Sequence, residues 1–320
     1  MSASADDEFT LYYFPTSFSS QKVLFALFEK EVPFKPKYVS LFSGQHNEPW
    51  YVRLNPDGYH IPVLNHGKKI IVDPANIIDY ISKVTEHAGH ALVPNPESEL
   101  GNNVQQFRKL LDNIQVDVLT YGIIYHPHLS TSGCQLPYAT QNSMKENFAQ
   151  RMCMLTELAT KHPDLRDAYL SKSQTVAQSY DVISDEAQVQ SQLDDLTPLF
   201  NTIENQLKKI KEGSEYSDEL WLFGPMFTAA DISLSVLLTR LTLLGLDGRY
   251  FPVEKCPCVQ QYFWQVKGRP AYQKIEKEIA NVKMTIAWEN VKSASPYVAG
   301  AVGLGIAAGT GYFAYKKLTS

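Results

Sequence analysis

Residues 61–80 read IPVLNHGKKIIVDPANIIDY, and this stretch decides the fold. Ile61-Pro-Val-Leu-Asn65 and Ile70-Ile-Val72 are apolar, largely β-branched runs flanking His66-Gly67-Lys68-Lys69, the pattern of a hairpin. Asp73 then precedes Pro74, a residue suited to a first helical position, and Ile77, Ile78 and Ile81 share one face. The spacing predicts a helix capped by Asp73. Pro62 opens the first strand pattern. A trans bond there would mark a sheet edge, whereas a cis bond would turn the Ile61 backbone outward for pairing with a peptide-like ligand.

Working back toward the N-terminus, Thr10-Leu-Tyr-Tyr-Phe14 reads as a strand. Turn residues 15–20 follow, and then a helix over 20–30 with apolar positions 23, 24, 27 and 28. Phe34 to Leu41 reads as a second strand, and Glu48 to Asn55 as a short helix with Pro49 in its first turn. The order over 9–84 is therefore β-α-β-α-β-β-α. Residues 1–8 are acidic and flexible, and carry neither a secretory signal nor an Arg-rich transit pattern.

Working forward, Glu99 to Tyr125 shows one long amphipathic helical pattern through positions 104, 107, 110, 111, 114 and 118. Residues 138–184 are polar and helix-prone with few strong apolar faces, which predicts loose packing. Ala187 to Lys211 returns to helical period through Leu193, Leu196, Phe200, Ile203 and Leu207. Thr228 and Asp231 have capping-box spacing ahead of an apolar run to Leu244, a buried central helix.

The C-terminus predicts an anchor. From Tyr297 to Tyr315, 19 residues carry no charge. As a helix they would span about 28 Å, close to the hydrocarbon thickness of a bilayer. Tyr297 and Tyr315 stand at interfacial positions, and Lys316 and Lys317 open the short basic tail 316–320. Gly305 and Gly309 form a G-x-x-x-G that would let two such helices approach closely.

Composition bounds the rest. A net charge of −5 over 320 residues excludes a nucleic-acid binder that works through a global basic field. Four cysteines are too few for a disulfide scaffold, and neither their spacing nor His126 and His128 around Pro127 predicts a metal site. The aspartates Asp112, Asp117, Asp194 and Asp195 read as solvated helix faces.

The order over 9–84, with Ile61-Pro62-Val63-Leu64 at the cis-proline position, resembles the thioredoxin-like N-terminal domain of the glutathione transferases. Phe227-Thr-Ala-Ala-Asp-Ile-Ser233 resembles the capping box of their helical C-terminal domain. Ser17-Phe-Ser-Ser-Gln-Lys-Val23, His46-Asn-Glu-Pro-Trp50, Arg53-Leu-Asn55, Ile77-Ile-Asp-Tyr80, His126-Pro127, Pro137-Tyr-Ala-Thr140 and Gly311-Tyr-Phe-Ala314 are similar to the ganglioside-induced differentiation-associated protein 1 family. The resemblance covers nearly the whole chain. It implies an α/β thioredoxin-like domain over 9–90 and an all-α transferase-like domain over 95–288 with an inserted helical region at about 140–185. A transmembrane tail anchor over 297–315 follows. It also implies residence on the mitochondrial outer membrane with the bulk facing the cytosol, peroxisomes as a second site, and a role in mitochondrial fission and network morphology. The implied partners are the membrane, a second copy in a homodimer, and cytoskeletal or organelle-contact proteins.

The resemblance makes Ser17 the candidate catalytic residue, with Ile61, Pro62 and Asp73 as ligand-binding candidates and glutathione as the substrate. A hydroxyl at a helix N-terminus would favour a glutathione thiolate. Helix capping is the competing reading of Ser17 and Ser20, and strand packing that of Tyr12 and Tyr13. At the γ-glutamyl end, Asp73-Pro74 stands where transferases keep an acid followed by serine. Proline removes both an N–H and a hydroxyl there. No cofactor is called for, and the residues favour an adaptor over a glutathione-dependent transferase or reductase.

Overall fold

The computed structural model describes residues 8–55, 60–85, 91–213 and 219–293, with side chains described up to 282. The chain divides into two units, Met1–Gln273 and Lys274–Ser320.

The first unit opens with β1 (Phe9–Tyr13), α1 (Phe18–Glu29) and β2 (Phe34–Tyr38). It continues through α2 (Pro49–Leu54), β3 (Val63–His66), β4 (Lys69–Val72) and α3 (Pro74–Val84). The four strands form one mixed sheet in the order β2-β1-β3-β4. β1 pairs parallel with β2, Leu11 opposite Pro36, and antiparallel with β3, Leu11 opposite Leu64. β3 pairs antiparallel with β4, Leu64 opposite Ile71. β2 is the exposed edge, and Lys35, Pro36 and Lys37 blunt it, as edge strands require. Leu11, Val63 and Leu64 are buried with Val23, Leu24 and Leu27 of α1 and Ile77, Ile78 and Ile81 of α3. The hairpin and helix read from residues 61–80 are thus present, and the Ile61–Pro62 bond is cis.

Helices follow: α4 (Glu99–Asp112), α5 (Val116–Tyr125), α6 (Tyr138–Lys161), α7 (Arg166–Ser184), α8 (Glu186–Asp194), α9 (Leu196–Gly213), α10 (Ala229–Leu243), α11 (Asp247–Tyr250), α12 (Pro257–Gly268) and α13 (Pro270–Ser293). Three expectations change. The single helix over 99–125 is two, because residues 113–115 leave the helical path and Val116 N–H turns onto the Ile114 carbonyl at 2.8 Å. The segment over 187–211 is likewise broken, α8 ending and α9 beginning around Asp195. Most informatively, residues 138–184 do not pack loosely. Phe148, Leu155 and Ala159 of α6 join Tyr169, Val176 and Ile183 of α7 in a buried cluster with Val52 of α2 and Val118 of α5. The apolar positions are few but fall on facing sides of an antiparallel pair, so a low average hydrophobicity concealed a core.

The central helix α10 begins at the expected capping box. Asp231, fully buried, accepts from Thr228 N–H at 2.8 Å and from Leu222 N–H at 2.9 Å. Polar seams join the sheet domain to the helices. Lys22 of α1 meets Asp112 at 2.6 Å, Ser233 of α10 donates to the same carboxylate at 2.8 Å, and Arg108 pairs with Asp79 of α3. Arg269 grips Glu29 of α1 through two 2.7 Å hydrogen bonds while stacked on Phe227 and Trp221.

Among the described residues no helix is long and apolar enough to cross a membrane. The expected anchor, with Tyr297, Gly305, Gly309, Tyr315, Lys316 and Lys317, lies outside the described residues, as do residues 1–7 of the flexible start expected over 1–8.

Candidate functional site

A cleft of about 330 Å³ lies where the sheet domain meets α5. Ser19 of α1, the Asn55 and His60 side, Ile61 and Pro62, Val72 with Asp73 and Pro74, and Asp117 of α5 line it. Ile61, Pro62 and Asp73, singled out in the sequence, are brought together here.

Each wall has a local cause. The Tyr51 hydroxyl, buried behind α2, donates to the His60 carbonyl at 3.0 Å, and this fixes the chain just ahead of Pro62. Asp73 caps α3 as expected, its Oδ1 accepting from Ala75 N–H at 2.9 Å and Asn76 N–H at 3.1 Å. It does so at φ 70°, ψ 126°, a backbone region that non-glycine residues occupy only under constraint, at about 1–3 kcal/mol. The strain sits on the wall of the cleft. Pro74 follows at the first helical position, so the head of α3 offers one N–H fewer to a ligand.

Ser17 stands at the head of α1. It is the N-cap of α1, its hydroxyl accepting from Ser20 N–H at 3.3 Å, and it does not line the cleft. Ser20 is buried and accepts from Phe14 N–H at 3.3 Å. Tyr12 packs beside Trp50 and Tyr13 is buried, as strand packing predicts. The serine that reaches the cleft is Ser19, two residues into the same run. The Ser-Phe-Ser-Ser run signalled a hydroxyl at this helix start, but helical phase decides which one caps and which one projects. Asp117 was read as a solvated helix face. It is exposed, but to the cleft, and no feature of the linear pattern distinguished the two.

Desolvation lowers the affinity of the His60 ring for a proton, with Lys172 acting in the same sense, while Asp117 and Asp73 oppose them. His60, the Ser19 hydroxyl near the start of α1 and the acidic residues Asp73 and Asp117 line one space. The hydroxyl can donate to an anionic atom, helped by the positive end of α1, and the carboxylates can accept from an ammonium. Elsewhere, His128 meets Glu186 at 3.0 Å, and His126 Nε2–H donates to the Ile183 carbonyl at 2.9 Å. Among the described residues no cluster has the composition of a metal site. Cys134, Cys153, Cys256 and Cys258 are all free thiols.

The family model for the glutathione S-transferase N-terminal domain matches residues 11–87, and that for the glutathione S-transferase C-terminal domain matches 186–263. The chain is 35% identical to the human ganglioside-induced differentiation-associated protein 1-like 1, over 98% of this chain and 87% of that one. It is 26% identical to glutathione S-transferase TCHQD of Arabidopsis thaliana, over 83% of this chain and 88% of the other. Among solved structures, the β-etherase LigF from Sphingobium sp. strain SYK-6 superposes with a TM-score of 0.59 at 16% identity, covering 84% of this chain and 99% of that one. The last likeness is one of fold.

Proposed function

Because the chain belongs to the ganglioside-induced differentiation-associated protein 1 family of glutathione-transferase-like proteins, we propose that it acts as a membrane-tethered regulator of mitochondrial fission and network morphology. It works through its surfaces rather than through turnover. In this reading residues 297–315 anchor it in the mitochondrial outer membrane, with peroxisomes as a second address, and the folded head faces the cytosol. It pairs as a homodimer and meets cytoskeletal or organelle-contact proteins.

The observation that carries the reading is the head of α3. Asp73 Oδ1 is committed to capping, and Pro74 supplies neither N–H nor hydroxyl. A donor lost from a site exposed like this one weakens anion binding by about 0.5–1.5 kcal/mol. The charge-free run 297–315 supports the tether. The test is calorimetric titration of the full chain with glutathione, paired with a conjugation assay. The reading expects neither binding in the micromolar range nor turnover, and turnover abolished by Ser19→Ala would overturn it.

A second reading, a glutathione-dependent transferase or reductase, is favoured by one observation: Ser19 at the head of α1 shares the cleft with the Ile61–Pro62 turn. In that reading Ser19 takes the role expected of Ser17, and the relatives named as glutathione transferases supply the substrate class.

A further inference from the structure

Both walls of the cleft are backed by the same pair of helices. On one side, the segment 45–55 carries Asn55 on its cleft face. Its opposite face is held by α7 and the turn before it. The Tyr169 hydroxyl donates to the Asn47 carbonyl at 2.8 Å, the Lys172 amine to the His46 carbonyl at 3.3 Å, and Arg53 pairs with Asp164 at 2.8 Å. On the other side, α5 turns Asp117 to the cleft and buries the next residue, Val118, against the helical pair. Val52 and Val118, one from each wall, lie in the apolar cluster that Phe148, Leu155, Leu165, Tyr169 and Val176 build.

We propose that the α6–α7 pair is a clamp that sets the cleft, with Tyr169 and Lys172 as positioning residues acting through the His46–Asn47 turn. The contacts are local enough to act as one unit. Tyr169 and Lys172 are successive turns of one helix, and they grip adjacent carbonyls. His46 and Asn47 are almost fully buried, and each keeps a side-chain atom, Nδ1 and Oδ1, without a hydrogen-bond partner. Unsatisfied buried groups oppose closure of this seam, so the two donated hydrogen bonds and the apolar cluster hold it against a standing cost. Burial, with Arg151 nearby, also pulls the Lys172 amine down to about 7, a second cost of the same sign. A seam built this way is one that a modest change can open. The inference does not depend on which ligand occupies the cleft.

Hydrogen exchange of the full chain, followed by mass spectrometry, tests it. Tyr169→Phe and Lys172→Met each remove a donor from the seam, and exchange of the amides of 45–55 is expected to rise about fivefold. Lys172→Gln, which keeps a donor, restores protection. Leu155→Ala, on neither wall, is expected to raise exchange in both 45–55 and 116–119. Leu207→Ala on α9 serves as the control for general destabilisation, compared at matched loss of melting temperature, and should leave both segments unchanged. Exchange rising only within α6 and α7, or rising equally in Leu207→Ala, would overturn the clamp.

Discussion

Lys22 of α1 and Asp112 at the end of α4 meet at 2.6 Å across the seam between the sheet domain and the helices, and Ser233 of α10 donates to the same carboxylate oxygen. Lys22 is 5% exposed, and desolvation, the largest influence, pulls its pKa down while Asp112 supports its charge. Asp112→Ala strips that support from a buried ammonium, with Arg108 facing the same carboxylate. The expected loss is about 3–5 kcal/mol of stability, measured by denaturant unfolding. The folded pKa of Lys22 lies below its unfolded value, so the unfolded chain binds the extra proton. Stability therefore rises as the pH climbs from the folded value toward 10.5, and in Asp112→Ala that slope should begin at lower pH.

Burial raises the Asp231 carboxyl to about 6. From the unfolded value of 3.8 up to about 6, the folded chain holds a proton that the unfolded chain releases. Stability contributed by that group therefore declines as the pH rises through this window. In Asp231→Asn the slope between pH 4 and 6 should flatten relative to wild type, read from melting temperatures at matched ionic strength. Asp231→Ala should lose about 3 kcal/mol or more, because the amides of Leu222 and Thr228 are left without acceptors in a buried place.

Ser17 and Ser19 separate by what they lose. Ser17→Ala removes the cap of α1 and should cost about 1 kcal/mol of stability while leaving the cleft lining intact. Ser19→Ala should leave stability within about 0.5 kcal/mol, as for a surface substitution. Differential scanning calorimetry of the two variants makes the comparison. Equal losses would place both hydroxyls in structural roles.

The proposed anchor makes a prediction of its own. Deleting 297–320 should release the chain to the soluble fraction after carbonate extraction of mitochondria, while the full chain stays with the membrane. Replacing Lys316 and Lys317 by serine should send part of the protein to other membranes, visible by imaging. Leucine at Gly305 and Gly309 should weaken crosslinking between anchors.

The sheet domain was legible because its signals are local. The hairpin around Gly67 and the Asp73-Pro74 start of α3 each fit within a few residues, as does the Thr228–Asp231 box that opens α10 in the helical part. What stayed hidden depends on distance or on phase. Residues 138–184 look polar on average, and their core becomes visible only when α6 lies against α7 and both against Val52 and Val118. The break at 113–115 has no proline or glycine to announce it. In the cleft, Ile61, Pro62 and Asp73 were legible from motif position. Ser19, two residues on from Ser17, lines the cleft, and Asp117 and His60 reach it only through the tertiary fold.

The most direct test of the central reading is mitochondrial network length in cells lacking this protein, after re-expression of the Ser19→Ala chain at wild-type level. An interaction protein that needs no chemistry at the cleft predicts a network indistinguishable from wild-type rescue. A network as uncorrected as with the chain lacking 297–320 would contradict it and return the cleft to catalysis.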